Sequence, residues 1–207
     1  MLNENFNHAE SIQKDFVETR TLSIDLFSPL NIEDAVMQSD PFCSPANWHL
    51  SHVTWFFHKI LEEFGITIKT DDSLNLSMLN SYYQKFGKPI QKSNRGMLPR
   101  PTVKEMLYYR KKLDQSVSEY LISNKNLSSD SIYLMNLAIQ HEMQHQELLL
   151  YDLQNYFSQF KDPNDNYYPF KHSSPPSQTK SNLHDVDIPG GSFELGYLGT
   201  KFCYDNE

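Results

Sequence analysis

Glycine divides this chain. Four of its seven glycines, Gly190, Gly191, Gly196 and Gly199, fall in the last eighteen residues, leaving three for the first 189. A backbone that seldom needs glycine's freedom runs in long regular elements, and the glycine-poor body carries its apolar residues at helical spacing. The pattern predicts an all-α body with helices over about 5–29, 44–64, 102–123 and 129–160. Local signals agree. Ser44-Pro45 offers a capping hydroxyl before a proline at the first helical position. Thr102-Val-Lys-Glu105 reads as a capping box directly after Pro101. Four amphipathic helices of this length are most simply packed as a four-helix bundle.

The remaining segments suggest a domain plan. Residues 66 to 101 form a connection of roughly 36 residues without sustained periodicity. Loops that long inside a compact domain tend to be functional or disordered. Because this one carries Tyr82, Tyr83 and a basic run, a folded loop over the bundle mouth is expected. After Phe160 the chain turns rich in Pro, Ser, Asn and Asp, which is linker composition. "IPGGSFELGYLGTKFCYDNE" then alternates like short strands around glycine turns. The expected plan is a metal-binding helical domain over 1–160, a linker over 161–187, and a short β-type stub of a second domain over 188–207.

Composition narrows the setting. At 39% hydrophobic and 21% charged residues the chain suits a soluble globular protein, and no apolar run approaches the ~18 residues of a membrane span. The first residues lack the basic and apolar segments of a secretory signal. Two distant cysteines, Cys43 and Cys203, point to a reducing, cytoplasmic setting and argue against a Cys-zinc site. A net charge of −8 argues against nucleic acid or anionic lipid as the main partner. The local exception, "KFGKPIQKSNRGMLPR", holds five basic residues and no acid. It reads either as a solvated loop or as a pocket for a carboxylate-bearing ligand.

The histidines carry the chemistry. His141 and His145 sit i, i+4, on a stripe running Leu134, Leu137, Ala138, His141, His145, Leu148 and Asp152. Two neighbouring imidazoles buried without partners would be costly, and a shared metal removes that cost. A third ligand is available on the second helix, where His52 falls between Trp48 and Trp55/Phe56 on the apolar side. Three neutral imidazoles with open positions suit iron, zinc or nickel. His49 is left to packing or to supporting a ligand, His58 is placed at the surface, and His172 and His184 fall in the linker.

His141-Glu142-x-x-His145 also spells the zinc-peptidase pattern. The longer form of that pattern needs glycine at 148 and histidine at 151, where Leu148 and Tyr151 stand. No glutamate occurs between Glu147 and Glu194 to serve as a downstream ligand. The peptidase reading therefore lacks its third ligand, and Glu142, about 100° from the ligand stripe, need not be a base.

Three ordered motifs, "SPANWHLSHVTWFF", "LNSYYQKFGKPIQKSNRGMLPRPTVKEMLYYR" and "HEMQHQELLLYD", resemble the DinB-like domain of ergothioneine-biosynthesis sulfoxide synthases. The tail "DIPGGSFELGYLGTKFCYDNE" resembles the opening of their second domain, of the formylglycine-generating-enzyme type. The ovothiol-pathway sulfoxide synthases share this architecture. A stand-alone DinB-type metal-dependent thiol transferase is a further alternative. The resemblance implies non-haem Fe(II) held by His52, His141 and His145, with another divalent metal as the alternative. It implies small-molecule substrates: a thiol from cysteine or γ-glutamylcysteine, trimethylhistidine and O2. It implies that Lys92 and Arg95 hold the thiol substrate's carboxylates and that Gln144 contacts the histidine-derived substrate. Phe56 stands where some members carry a polar substrate contact. The family's catalytic tyrosine lies in the second domain. The resemblance therefore assigns no catalytic residue to this chain, implies little turnover by it alone, and leaves open a separately encoded second domain as a partner.

Overall fold

In the computed structural model, residues 2–68, 76–81, 89–159, 185–199 and 202–204 are described. Among these residues five α-helices run in order: α1 Leu2–Phe27, α2 Ile32–Val36, α3 Ala46–Glu63, α4 Val103–Ser123 and α5 Ser129–Ser158. Among the described residues, two short 3-10 turns, Leu76–Leu79 and Lys92–Met97, lie in the connection from α3 to α4. The described residues are mostly helical and include no strand, so the all-α expectation holds for the body. The tail expected as a β-type stub shows no strand among its described residues, where Ile188, Phe193 and Leu195 are exposed. Nearly all of the expected linker, including His172 and His184, lies outside the described residues, as do Tyr82 and Tyr83 of the expected folded loop.

The helix starts follow their caps, with one correction. Thr102 Oγ1 accepts from the Glu105 backbone N–H, and Glu105 Oε2 accepts from the Thr102 N–H at 2.8 Å, as the box predicts. Thr102→Ala is expected to cost about 1 kcal/mol, measured by urea unfolding. An unchanged midpoint would show that the cap contributes nothing. Ser44, by contrast, is not the cap of α3. The helix begins at Ala46 with Pro45 before it and no side-chain cap. The Ser44 hydroxyl instead accepts from Arg95 Nη1 at 2.8 Å. A tertiary cation outcompetes the local amides for that oxygen.

Two apolar clusters form the core. One gathers Phe16, Trp55, Phe57, Leu61, Leu113, Val117 and Met135 with their neighbours. The other gathers Phe27, Ala46, Leu50, Met106, Leu149, Leu153 and Phe157. On each long helix a polar stretch separates the two: Arg20 and Ser23 on α1, Ser51 to Thr54 on α3, Arg110 on α4, and His141 to Gln146 on α5. The order in which each helix meets the clusters fixes its direction. α1 and α5 run one way, α3 and α4 the other, with α3 packed on both α4 and α5 and α1 packed on the same two. Because α3 and α4 are parallel, the chain must return the length of a helix between them. An 18-residue helix is roughly 27 Å long, which is why this connection is long while α4 and α5 are joined tightly. On its way back it lays Leu79 against α3, fully buried.

Candidate metal centre

The polar layer brings the two histidine segments face to face. α3 supplies His52 and α5 supplies His141 and His145, and one nitrogen from each lies within 4.8 Å of the others. His52 Nε2 is 3.3 Å from His141 Nε2, and the His52 and His145 ring centroids are 4.7 Å apart. His52 and His141 are buried, while His145 is half-buried. The expected trio is therefore one cluster that could hold a metal ion.

Electrostatics keep these rings in the form a metal needs. Burial drives His141 down to about 4, against the pull of the Glu142 charge. Burial likewise puts His52 and His145 well below the ordinary histidine range, with the neighbouring imidazoles adding to it. All three are neutral near neutral pH, with lone pairs available. His52 Nδ1 lies 2.5 Å from the Leu79 carbonyl, so that nitrogen carries the hydrogen and Nε2 is bare. His141 Nδ1 is buried with no hydrogen-bond partner among the described residues. A cation at the centre would use the bare His52 Nε2 and the His141 Nε2 that faces it. The donor set fits a borderline transition metal.

Aromatic rings wall the cluster. Trp48 stacks on His52 with centroids 4.7 Å apart and planes at 8°, Trp55 lies 5.6 Å away, and Phe56 sits 4.3 Å from His141. Phe56 thus closes off the His141 ring where a polar substrate contact was in question.

The three expected substrate residues are placed differently from one another. Lys92 and Gln144 are exposed, the latter on the outer side of α5. Arg95 is buried, with its guanidinium carbon 3.4 Å from the Trp48 ring centre. Burial lowers its pKa to about 10, against the pull of Asp152. Its Nε has no partner among the described residues, nor do Asn47 Oδ1 and Trp48 Nε1. All three residues line a small recess of about 20 Å3 beside the centre, to which Arg100 also contributes and none of the three candidate ligands does.

Several expectations need correction. The buried residues of α5 include Met135, Ala138, Ile139, His141, Glu142, Gln146, Leu149 and Leu153, so Ala138 and His141 lie on the buried side as expected while Leu148, taken as part of the stripe, is exposed. Glu142 lies at the centre of the core rather than off to one side. One carboxylate oxygen accepts from Ser23 Oγ at 2.6 Å and from Arg110 Nη2, and the other accepts from Arg20 Nη1 at 2.7 Å. With both oxygens engaged it is unavailable as a general base, as the failed peptidase pattern implied. His58, expected at the surface, is buried with Nδ1 2.6 Å from the Tyr109 hydroxyl. An α4 partner pulls it inward, which spacing within α3 cannot reveal.

His49, left by the sequence to packing or to supporting a ligand, lies against a candidate ligand, while Asp152 and Gln38 were missed as supporting residues. His49 Nδ1 is 2.9 Å from His145 Nδ1, and its Nε2 is 2.8 Å from Asp152 Oδ2. Gln38 clasps the Arg95-bearing turn. Its Nε2 donates to the carbonyls of Cys43 and Lys92, and its Oε1 accepts from the Gly96 N–H. A Cβ at Gly96 would lie 2.6 Å from the Gln38 Cβ, so glycine is what lets the turn seat so closely. The only sequence signal for Asp152 was its place on the histidine stripe, and for Gln38 there was none.

A scan of the chain against protein-family models finds no match, and a search of curated proteins finds none either. The functional reading therefore rests on the geometry and on the motifs.

Proposed function

We propose that this chain is the iron-binding, DinB-like four-helix bundle of a non-haem Fe(II), O2-dependent sulfoxide synthase. The reaction joins a cysteine-type thiol to the imidazole C2 of trimethylhistidine, as in ergothioneine biosynthesis. The observation that carries the reading is the convergence of three neutral imidazoles, His52, His141 and His145, from two helices onto one buried point. Bound there, ferrous iron would supply O2 activation and a seat for the substrate thiolate at its open positions.

The chain's own residues prepare that chemistry. The aromatic walls of Trp48, Trp55 and Phe56 exclude water from one side of the centre. Arg95, held against Trp48 with Nε unpartnered, offers a positive group for a substrate carboxylate, and Lys92 follows on the same turn. The resemblance gives the histidine-derived substrate to Gln144, which stands exposed on α5 next to His145. The reading assigns no catalytic residue to this chain.

Metal analysis after anaerobic purification tests the proposal. The expected result is iron in the parental chain, with the metal lost in His52→Ala, His141→Ala and His145→Ala. Metal retained in all three variants would overturn the site. A nickel- or zinc-loaded chain that transfers thiols without O2 would replace the synthase reading with the thiol transferase.

A further inference from the structure

We propose that Asp152 and His49 are positioning residues for the metal centre. Through one chain of hydrogen bonds they hold His145 in the tautomer whose Nε2 is bare. The inference rests on the metal reading above and names how one ligand of that site is prepared.

The chain of bonds starts at a group with no choice. The Ser44 backbone N–H lies 2.8 Å from Asp152 Oδ2, and a backbone N–H can only donate. That oxygen is therefore an acceptor. The same oxygen lies 2.8 Å from His49 Nε2, so His49 Nε2 must carry a hydrogen and donate it. A neutral imidazole protonated on Nε2 has a bare Nδ1. His49 Nδ1 lies 2.9 Å from His145 Nδ1, so the hydrogen between them belongs to His145. His145 Nε2 is left with its lone pair.

A metal ligand needs such a lone pair, and the opposite tautomer would present an N–H instead. Ligating histidines usually donate their other ring N–H to a carboxylate or carbonyl, which fixes both tautomer and ring orientation. His52 does this directly with Leu79. His145 does it at one remove, with His49 relaying the direction set by Asp152.

The relay also joins the two ligand-bearing helices. His49 stands on α3, three residues before His52, and Asp152 stands on α5, seven residues after His145. His49 is 3% exposed, so solvent cannot readily replace these bonds. The geometry thus couples the register of α3 on α5 to the state of the ligand.

The full chain labelled with 15N-histidine provides the first test, by NMR without metal. The expected spectrum has His145 protonated on Nδ1 and His49 on Nε2. Zinc titration provides the second. His49→Phe keeps a ring but removes the acceptor, and should lower zinc affinity about 10- to 100-fold while mixing the His145 tautomers. Asp152→Leu should do the same through His49. Asp152→Asn, whose carbonyl oxygen can still accept from Ser44 and His49, should restore both readouts. A purely packing role would not set the tautomers. His145 protonated on Nε2 in the parental chain would overturn the proposal, and this outcome stands even if the variants do not fold. Folded His49→Phe binding zinc as tightly as the parent would overturn it too. Failure of the parental chain to bind zinc at all would instead overturn the metal reading itself.

Discussion

Glu142→Ala is expected to destabilise the fold by about 3–5 kcal/mol, the cost of breaking a buried ion pair from one side. Arg20 and Arg110 are 4% and 1% exposed, and both donate to this one carboxylate. Burial alone would raise the Glu142 pKa, but the two guanidiniums outweigh it and hold the group at about 2. Without Glu142, Arg110 keeps only the Thr54 hydroxyl and the Arg20 carbonyl, and Arg20 keeps Thr54 and the partly exposed Asp114. Two buried cations would then face each other across a cavity. Urea unfolding measures the effect, and a loss under about 1 kcal/mol, the worth of an exposed pair, would show that the cluster is better solvated than its burial implies. Replacing Arg20, Arg110 and Glu142 together with apolar residues of similar volume should cost far less than Glu142→Ala, because no charge is then left unpaired. The cluster lies next to His141, so the same variants should loosen the metal centre through packing.

The second large effect is acid sensitivity of the metal-free chain. His141 is depressed by burial from 6.5 to about 4, so the folded state resists the proton that the unfolded chain accepts. Stability from this group is full above about 6.5, falls as pH drops toward about 4, and amounts to about 3 kcal/mol. His52 and His145 are shifted in the same direction by the same burial, and each adds to the loss. Glu142 stays ionised through this window and contributes only below it, as pH falls from 4.5 toward about 2. Urea midpoints measured with a chelator should fall steeply between neutral pH and about 4. With zinc the fall should be delayed, since bound metal keeps the imidazoles neutral until protons compete it away. A flat midpoint across that window in the metal-free chain would mean the histidines are far more solvated than they are here.

Much of this protein was determined locally, and those parts were legible. Thr102 and Glu105 close a capping box within four residues, so α4 could be placed from sequence. His141 and His145 lie one turn apart whatever surrounds them, and His52 sits on the apolar side of α3, so the trio could be grouped before any packing was known. The scarcity of glycine in the body pointed to helices, and helices are what the described body contains.

Tertiary structure decided what depended on partners far away in the chain. Arg20 reaches Glu142 across 122 positions, and His49 reaches Asp152 across 103. Helical periodicity reports which residues share a face, but not which face meets which neighbour. The α5 stripe was therefore drawn about one residue off, leaving Glu142 outside a core that it centres, and His58 on α3 was placed at the surface because its α4 partner Tyr109 is 51 positions away. The parallel course of α3 and α4, which makes their connection run back past His52, follows from how the two apolar clusters stack around the polar layer. Spacing along the helices grouped the candidate ligands; only the meeting of α3 with α5 aims their nitrogens, because hydrogen-bond direction belongs to the partner as much as to the residue.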